Sequence, residues 1–363
     1  MSLFLCVDCG GSKTSAVICD ANRNILGRAL TGPSNFANIS LAVFIDTIHL
    51  VVSNALTSCA YLPPTTPLIL PPSTDIFASA WFGISGVDSA AAVRTASVAL
   101  SELLAIPIGP RLTIANDTHL LASPLRLCPD VTHAITVIAG TGSCIISFTQ
   151  APSGAFVELA RIGGWGWILG DEGSGFHVGK EAIRQLMLDV ARGSLGMTPP
   201  PKSSLKTKLL SHFGIDREEN AAEILSIVHI PESAMESAGI AEHLLVPRQK
   251  RLSQLSPLVF DAAFKDGDEF ALRVLRNTAG ALADQIVVLC ISPGEGHTVK
   301  PRGVLASEAL LCFGGSLVGI ESYRTLVLDE LKKRGCVFRR VEFVEDAAAA
   351  GATCLAAMAV ASN

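Results

Sequence analysis

Asp8 opens the first stretch able to do chemistry, Asp8-Cys9-Gly10-Gly11-Ser12-Lys13-Thr14, and a second of similar make, Gly140-Thr141-Gly142-Ser143, follows far downstream. In each, an apolar run enters a tight turn of small residues and a second apolar run leaves it. Glycine lets backbone N–H groups approach an anion closely and adopt positive φ, while Ser and Thr hydroxyls add donors, so each turn suits phosphate oxygens. A carboxylate at position 8 would repel bare phosphate. It makes sense as an indirect ligand of the Mg²⁺ that accompanies a nucleotide. The two turns with Asp8 therefore predict a nucleoside triphosphate site, although either turn alone would be ordinary hairpin chemistry.

Other phosphate motifs do not fit. Ser174-Gly175-Phe176-His177-Val178-Gly179-Lys180-Glu181 resembles a Walker A loop but lacks Gly at its first position and has Glu181 where Ser or Thr should hold Mg²⁺, so it is expected to start a helix. Gly164-Trp165-Gly166-Trp167-Ile168-Leu169-Gly170 is one residue too long for GxGxxG, which removes a dinucleotide-binding reading.

The elements that must position these turns alternate between strand and helix, an α/β pattern. Strands are expected near 3–8, 14–20, 80–86 and 112–115, with helices near 40–58 and 89–104. The prolines at 63, 64, 67, 71 and 72 predict an irregular loop between the first helix and the third strand. Strands near 134–139 and 144–149 open a second domain. A turn and helix follow over 171–192, then a Pro-rich break at 197–201, mostly helical spacing over 205–289 with a long helix over 269–290, and a loop over 293–303. A strand over 310–313 runs into Gly314-Gly315-Ser316, where a flat ligand could lie against backbone. A helix over 322–334, a strand over 341–344 and an Ala-rich helix from Asp346, its expected cap, complete the chain. The domains are expected at 1–119 and 120–345, with 346–363 packing back on the first.

With 363 residues, 49% hydrophobic content and few aromatics, the chain has the composition of a two-domain α/β enzyme. The net charge of −5, with scattered Lys and Arg, argues against a nucleic-acid partner. The ten Cys read as reduced thiols of a cytoplasmic protein, since no secretory signal is visible and Cys6 and Cys9 would point to opposite faces of one strand. No uncharged apolar run reaches the roughly 20 residues of a membrane span.

These residues carry a family resemblance. The hairpin from Asp8 to Thr14, the turn Gly140-Thr141-Gly142-Ser143, the Gly314-Gly315-Ser316 turn and the terminal helix resemble the phosphate-1, phosphate-2, adenosine and connecting-helix motifs of the actin, sugar kinase and Hsp70 ATPase superfamily. Gly163-Gly164-Trp165-Gly166-Trp167-Ile168-Leu169-Gly170-Asp171-Glu172-Gly173-Ser174 is similar to the signature of N-acetylglucosamine kinases and the related BadF/BadG/BcrA/BcrD ATPase family. The resemblance implies two ribonuclease H-like (actin-like ATPase) domains with a cleft that closes over the sugar. It further implies that Gly10, Gly11, Ser12, Lys13, Thr14, Gly140, Thr141, Gly142, Gly314, Gly315 and Ser316 hold ATP and that Asp8 holds Mg²⁺ through water. Asn35, Asp88, Gly164, Trp165 and Asp171 would bind the sugar, and Asp117 would accept the proton of its 6-hydroxyl.

Alternatives remain open in the residues themselves. Asp117 could simply begin a turn after Asn116, Trp165 could be core, and Asp171 could cap a helix. Cys144 stands where these kinases commonly carry Asn, and the aromatic expected near Asn35 is represented only by Phe36, with Ala37 beyond it, which loosens the choice of acyl substituent. The expected activity is an ATP-dependent kinase acting on N-acetylglucosamine or a close amino sugar, with a homodimer compatible with the resemblance. One rival is the ATPase activator of a 2-hydroxyacyl-CoA dehydratase-type radical enzyme, which iron content would reveal. The other is a non-catalytic sugar sensor, which would carry a DNA-binding segment such as none seen before Leu3.

Overall fold

Strand β1 (Leu3–Cys9) is apolar at nearly every position, as a strand covered on both faces must be. Its side chains alternate between two cores, Leu3, Leu5, Val7 and Cys9 facing one and Phe4 and Cys6 the other. The computed structural model describes residues 2–59, 70–151, 155–197, 201–234, 239, 241–291 and 301–361. Prolines 63, 64 and 67 lie outside the described residues.

Around β1 a five-stranded sheet forms in the order β3-β2-β1-β4-β5. β2 (Thr14–Cys19) and β3 (Ile25–Thr31) add to it antiparallel, while β4 (Phe77–Ile84) and β5 (Leu112–Ala115) are parallel to β1. Helices α1 (Leu41–Thr57) and α2 (Ala90–Leu104) cover the Leu5 face, and each starts at a serine, Ser40 or Ser89, whose hydroxyl accepts a first-turn N–H. The short helix α3 (Thr118–Leu121) follows β5 after two residues.

A second five-stranded sheet, ordered β10-β9-β6-β7-β8, is built from β6 (His133–Ala139), β7 (Ser143–Gln150), β8 (Phe156–Gly163), β9 (Ala309–Gly314) and β10 (Arg340–Phe343). Between β8 and β9 run α4 (Gly175–Ser194), α5 (Ser204–His212), α6 (Glu223–Val228), α7 (Arg248–Ser253), α8 (Ser256–Phe264) and α9 (Glu269–Leu289). α10 (Glu321–Lys333) lies between β9 and β10. Buried Tyr323 of α10 donates its hydroxyl to the Gly173 carbonyl at 3.1 Å, fixing the loop that leads into α4.

Helix α11 (Ala347–Ala361) returns to the first sheet and covers its Phe4–Cys6 face. Asp346 caps it, its Oδ1 accepting from the Ala349 N–H at 2.8 Å, and its other oxygen pairs with Arg28 of β3. The packing is close because Gly351 has no side chain: a Cβ there would lie 2.4 Å from Cys6 Sγ. Gly351→Ala is therefore expected to destabilise the protein by about 1–3 kcal/mol, the usual scale of overpacking, read as a lower midpoint in urea with an unchanged m value. An unchanged midpoint would mean that α11 can move off β1 without cost.

The chain divides into two compact units. One comprises Met1–Ala134, Thr149–Val157 and Val344–Asn363, the other Ile135–Phe148 and Glu158–Phe343, where the sequence suggested 1–119 with 346–363 and 120–345. The edge strands β3 and β8 are the strands the sequence did not reveal. Both carry charged and half-exposed residues, such as Arg28 and Glu158, in place of an apolar run.

Candidate active site

In the first unit the parallel strands end at one edge of the sheet, which is where open α/β sheets place their ligands. The register sets Asp8 of β1 beside Gly83 of β4, and Gly83 beside Ala115 of β5. Residues just past this row therefore gather together: the Gly10–Lys13 turn after β1, Ser85 and Gly86 after β4, and Asn116 and Asp117 after β5. Gly83 is needed for the approach, because a Cβ there would lie 3.2 Å from Asp117 Cα and 2.4 Å from Leu120. The two carboxylates Asp8 and Asp117 consequently feel one another. Burial, and then the Asp117 charge, push the Asp8 carboxyl up to about 7, against a smaller opposing pull from Lys13.

The first turn closes through a bond from the Gly10 N–H to the Lys13 carbonyl at 3.0 Å, while the Gly11, Ser12 and Lys13 amides have no acceptor among the described residues. Three successive donors are thus left for an anion. Behind them the Ser34 amide donates to the Gly10 carbonyl at 3.0 Å, and Thr14 and Ser34 share a 2.6 Å hydroxyl contact. This seats Asn35, which donates from Nδ2 to Ser85 Oγ at 3.2 Å and accepts the Ala37 N–H at 3.0 Å. Asn116 was not singled out from the sequence. Its Nδ2 donates to Asp88 at 2.9 Å, and its Oδ1 accepts from both the amide and the hydroxyl of Thr118, so one side chain ties Asp88 to the start of α3 and thereby to Asp117.

The second unit holds the other group. Gly140 donates to the Gly142 carbonyl at 2.9 Å, closing the second turn. The carbonyls of Gly140 and Thr141 accept from the Gly175 and Phe176 amides at 2.8 and 3.2 Å, so the amino terminus of α4 grips the back of the turn. Because N–H and C=O of a trans peptide point opposite ways, this grip turns the Thr141 and Gly142 amides outward. Neither has an acceptor among the described residues. The Gly314-Gly315-Ser316 turn lies alongside. Gly315 has φ +100°, and a Cβ on it would come within 2.6 Å of the Ala139 carbonyl; Ser316 Oγ is 3.6 Å from where a Gly140 Cβ would stand.

Asp171 also joins this second group. Its Oδ1 accepts the Ser143 amide at 3.0 Å, and Ser143 Oγ donates to the Glu172 carbonyl at 2.8 Å. Burial raises the Asp171 carboxyl above the usual range, partly offset by that amide. Asp171 does not cap α4, since Ser174 does, accepting from the His177 amide; Asp171 instead sits in the left-handed region at φ +65°. The Walker-like stretch is indeed a helix start. Gly164, at φ +70°, donates to the Ser143 carbonyl at 2.9 Å. Trp165 follows it 57% exposed, with Ile168 and Leu169 more so, which removes the core reading of Trp165. His177 accepts the Gly173 amide on Nδ1 at 3.0 Å, and burial lowers its pKa.

The donor set fits a hard cation carried by phosphate. Among the described residues no three His, Cys, Asp or Glu side chains come together as a metal cage, whereas Asp8 stands two residues before the first turn with its unpartnered amides. Mg²⁺ is typically held by one or two carboxylates with substrate phosphates and water. No helix among the described residues is long and apolar enough to cross a membrane.

Two five-stranded α/β units of this kind define the fold shared by actin-like ATPases and sugar kinases. The chain belongs to the BadF/BadG/BcrA/BcrD ATPase family, whose profile matches residues 5–352. It is 27% identical to an N-acetyl-D-glucosamine kinase of Dictyostelium discoideum over 285 residues, 78% of each chain. It is 28% identical to an N-acetylmuramic acid/N-acetylglucosamine kinase of Clostridium acetobutylicum over 51% of this chain and 53% of that one. Among solved structures, a candidate N-acetylglucosamine kinase from Porphyromonas gingivalis superposes with a TM-score of 0.62 at 20% identity, covering 98% of this chain and 99% of that one.

Proposed function

We propose that this protein is an ATP-dependent amino-sugar kinase that phosphorylates the 6-hydroxyl of N-acetylglucosamine or a close relative. The observation that carries the reading is the pairing of Asp117 with Asp8 at one sheet edge, ringed by Asn35, Ser85 and the Asn116-anchored Asp88. In the reaction the sugar O6 attacks the γ-phosphorus, its proton passes to Asp117, and the bond from phosphorus to the β-phosphate oxygen breaks to release ADP. Asn35 and Asp88 orient the sugar hydroxyls. The outward amides of the first glycine turn receive phosphate oxygens, and Asp8, through water, would hold the Mg²⁺ that neutralises their charge. The two relatives named as N-acetylglucosamine kinases support the substrate class.

The cysteines favour this reading over the dehydratase activator. Nine of the ten are buried and Cys144 is half-buried, an arrangement unlike the exposed thiolates that a cluster shared between subunits requires. ADP release with MgATP across N-acetylglucosamine, glucosamine, N-acetylmuramic acid, N-acetylmannosamine and glucose tests the proposal. Turnover that depends on an amino sugar is expected, most strongly N-acetylglucosamine. Hydrolysis at the same rate without sugar, or bound iron in the purified protein, would overturn it.

A further inference from the structure

Gly173 is held through both of its main-chain polar groups. Its N–H donates to His177 Nδ1 at 3.0 Å, and its carbonyl accepts the Tyr323 hydroxyl at 3.1 Å. The two holders come from different helices, α4 and α10. Tyr323 is fully buried, with Thr278 Oγ1 of α9 3.2 Å from the same hydroxyl. Accepting on Nδ1 requires His177 to be neutral with its proton on Nε2, and burial favours that form. Packing closes what remains: Gly173 lies at φ +74°, and a Cβ on it would stand 2.4 Å from Leu282 Cβ. Glu172 beside it is tied as well, its Oε2 accepting from Gln285 Nε2 at 2.7 Å. Glycine fills positions 163, 164, 166, 170 and 173 of this loop. So glycine-rich a segment has little stiffness of its own, and contacts from outside must set its shape.

We infer that His177 and Tyr323 are positioning residues for the sugar: by taking the N–H and the carbonyl of Gly173 they fix the loop that presents Asp171, two residues earlier. This rests on the kinase reading above and on Asp171 as a sugar ligand, the role the family resemblance implies. Both side chains act through the main chain of the loop. The Gly10–Lys13 turn belongs to the other compact unit, so MgATP affinity serves as the control.

Calorimetry on the intact protein, with N-acetylglucosamine alone and with MgATP alone, tests this. Tyr323→Phe removes one hydroxyl. It is expected to weaken sugar binding about five- to twentyfold, the scale of one hydrogen bond to a buried group, with MgATP affinity within about threefold of wild type. His177→Leu should do the same by removing the acceptor. His177→Asn, whose Oδ1 can stand in for Nδ1, should hold sugar affinity within about threefold. In turnover the Tyr323→Phe loss is expected as a raised KM for sugar with kcat within about threefold, the pattern of lost uniform binding. A lower urea midpoint in Tyr323→Phe with both affinities unchanged would make these contacts structural only and overturn the inference. An equal loss of sugar and MgATP affinity would also overturn it, as would a His177→Asn variant as weak for sugar as His177→Leu. Wild-type protein that binds MgATP but no amino sugar would overturn the kinase reading and the inference with it.

Discussion

Asp117→Asn is expected to lower the sugar-dependent kcat by roughly 10²- to 10⁴-fold, the contribution of a positioned general base, with KM for MgATP within about threefold of wild type. The substitution keeps the side chain's size, and the main-chain bonds at this corner, from the His119 amide to the Asn116 carbonyl and from the Leu120 amide to the Asp117 carbonyl, do not involve the carboxylate. What is lost is the ability to take a proton. One side effect must be separated. Asp117 helps to raise the Asp8 pKa, so removing its charge lets Asp8 ionise at lower pH. Comparing the two proteins at pH 8 and above, where Asp8 is mostly ionised in both, isolates the proton transfer. A kcat within a few fold of wild type under those conditions would leave Asp117 as a turn residue only, and the base would have to be sought elsewhere along the same sheet edge.

The candidate site was legible in the sequence where small residues and carboxylates fall at strand ends, because those positions interrupt apolar runs in a way that packing alone does not require. Asp8, the Gly10–Lys13 turn, Asn35, Asp88 and Asp117 all fall at one sheet edge, and Gly140–Gly142 and Gly314–Ser316 fall side by side. Partnership was not legible. Asn116 looked like a neighbour of Asp117, yet its amide bridges Asp88 and Thr118 across a separation of 28 residues on one side, a contact set by the parallel pairing of β4 and β5. Asp171 stands next to a helix, where an Asp suggests a cap, but Ser174 takes that role and frees Asp171 to reach back 28 residues to Ser143. β3 and β8 escaped notice for a related reason. Edge strands are defined by the neighbour on their one paired side, and their solvent-facing residues carry no apolar period to read.

Asp8→Asn is expected to make the metal-free protein more stable at neutral pH, although it removes a site residue. The folded state holds the Asp8 carboxyl up to about 7, chiefly through burial and the nearby Asp117 charge, whereas in the unfolded chain it ionises near 4. A raised carboxyl pKa means that folding disfavours the ion. Below the unfolded value both states are protonated and nothing is lost; as the pH rises from about 4 to about 7 the unfolded state releases its proton first and the penalty grows; above 7 it is complete. Three pH units correspond to about 4 kcal/mol, and relaxation around the charge reduces this to about 2–4 kcal/mol. Urea unfolding of both proteins in chelator should show the variant ahead by that amount at pH 8 and level with wild type near pH 4. A carboxylate held mainly by Lys13 would give the opposite slope, wild type gaining on the variant as pH rises, and a gap independent of pH would mean that Asp8 ionises at its ordinary value. The expected sign marks Asp8 as a group kept at a cost to the fold, which a buried aspartate with a purely structural role would not be.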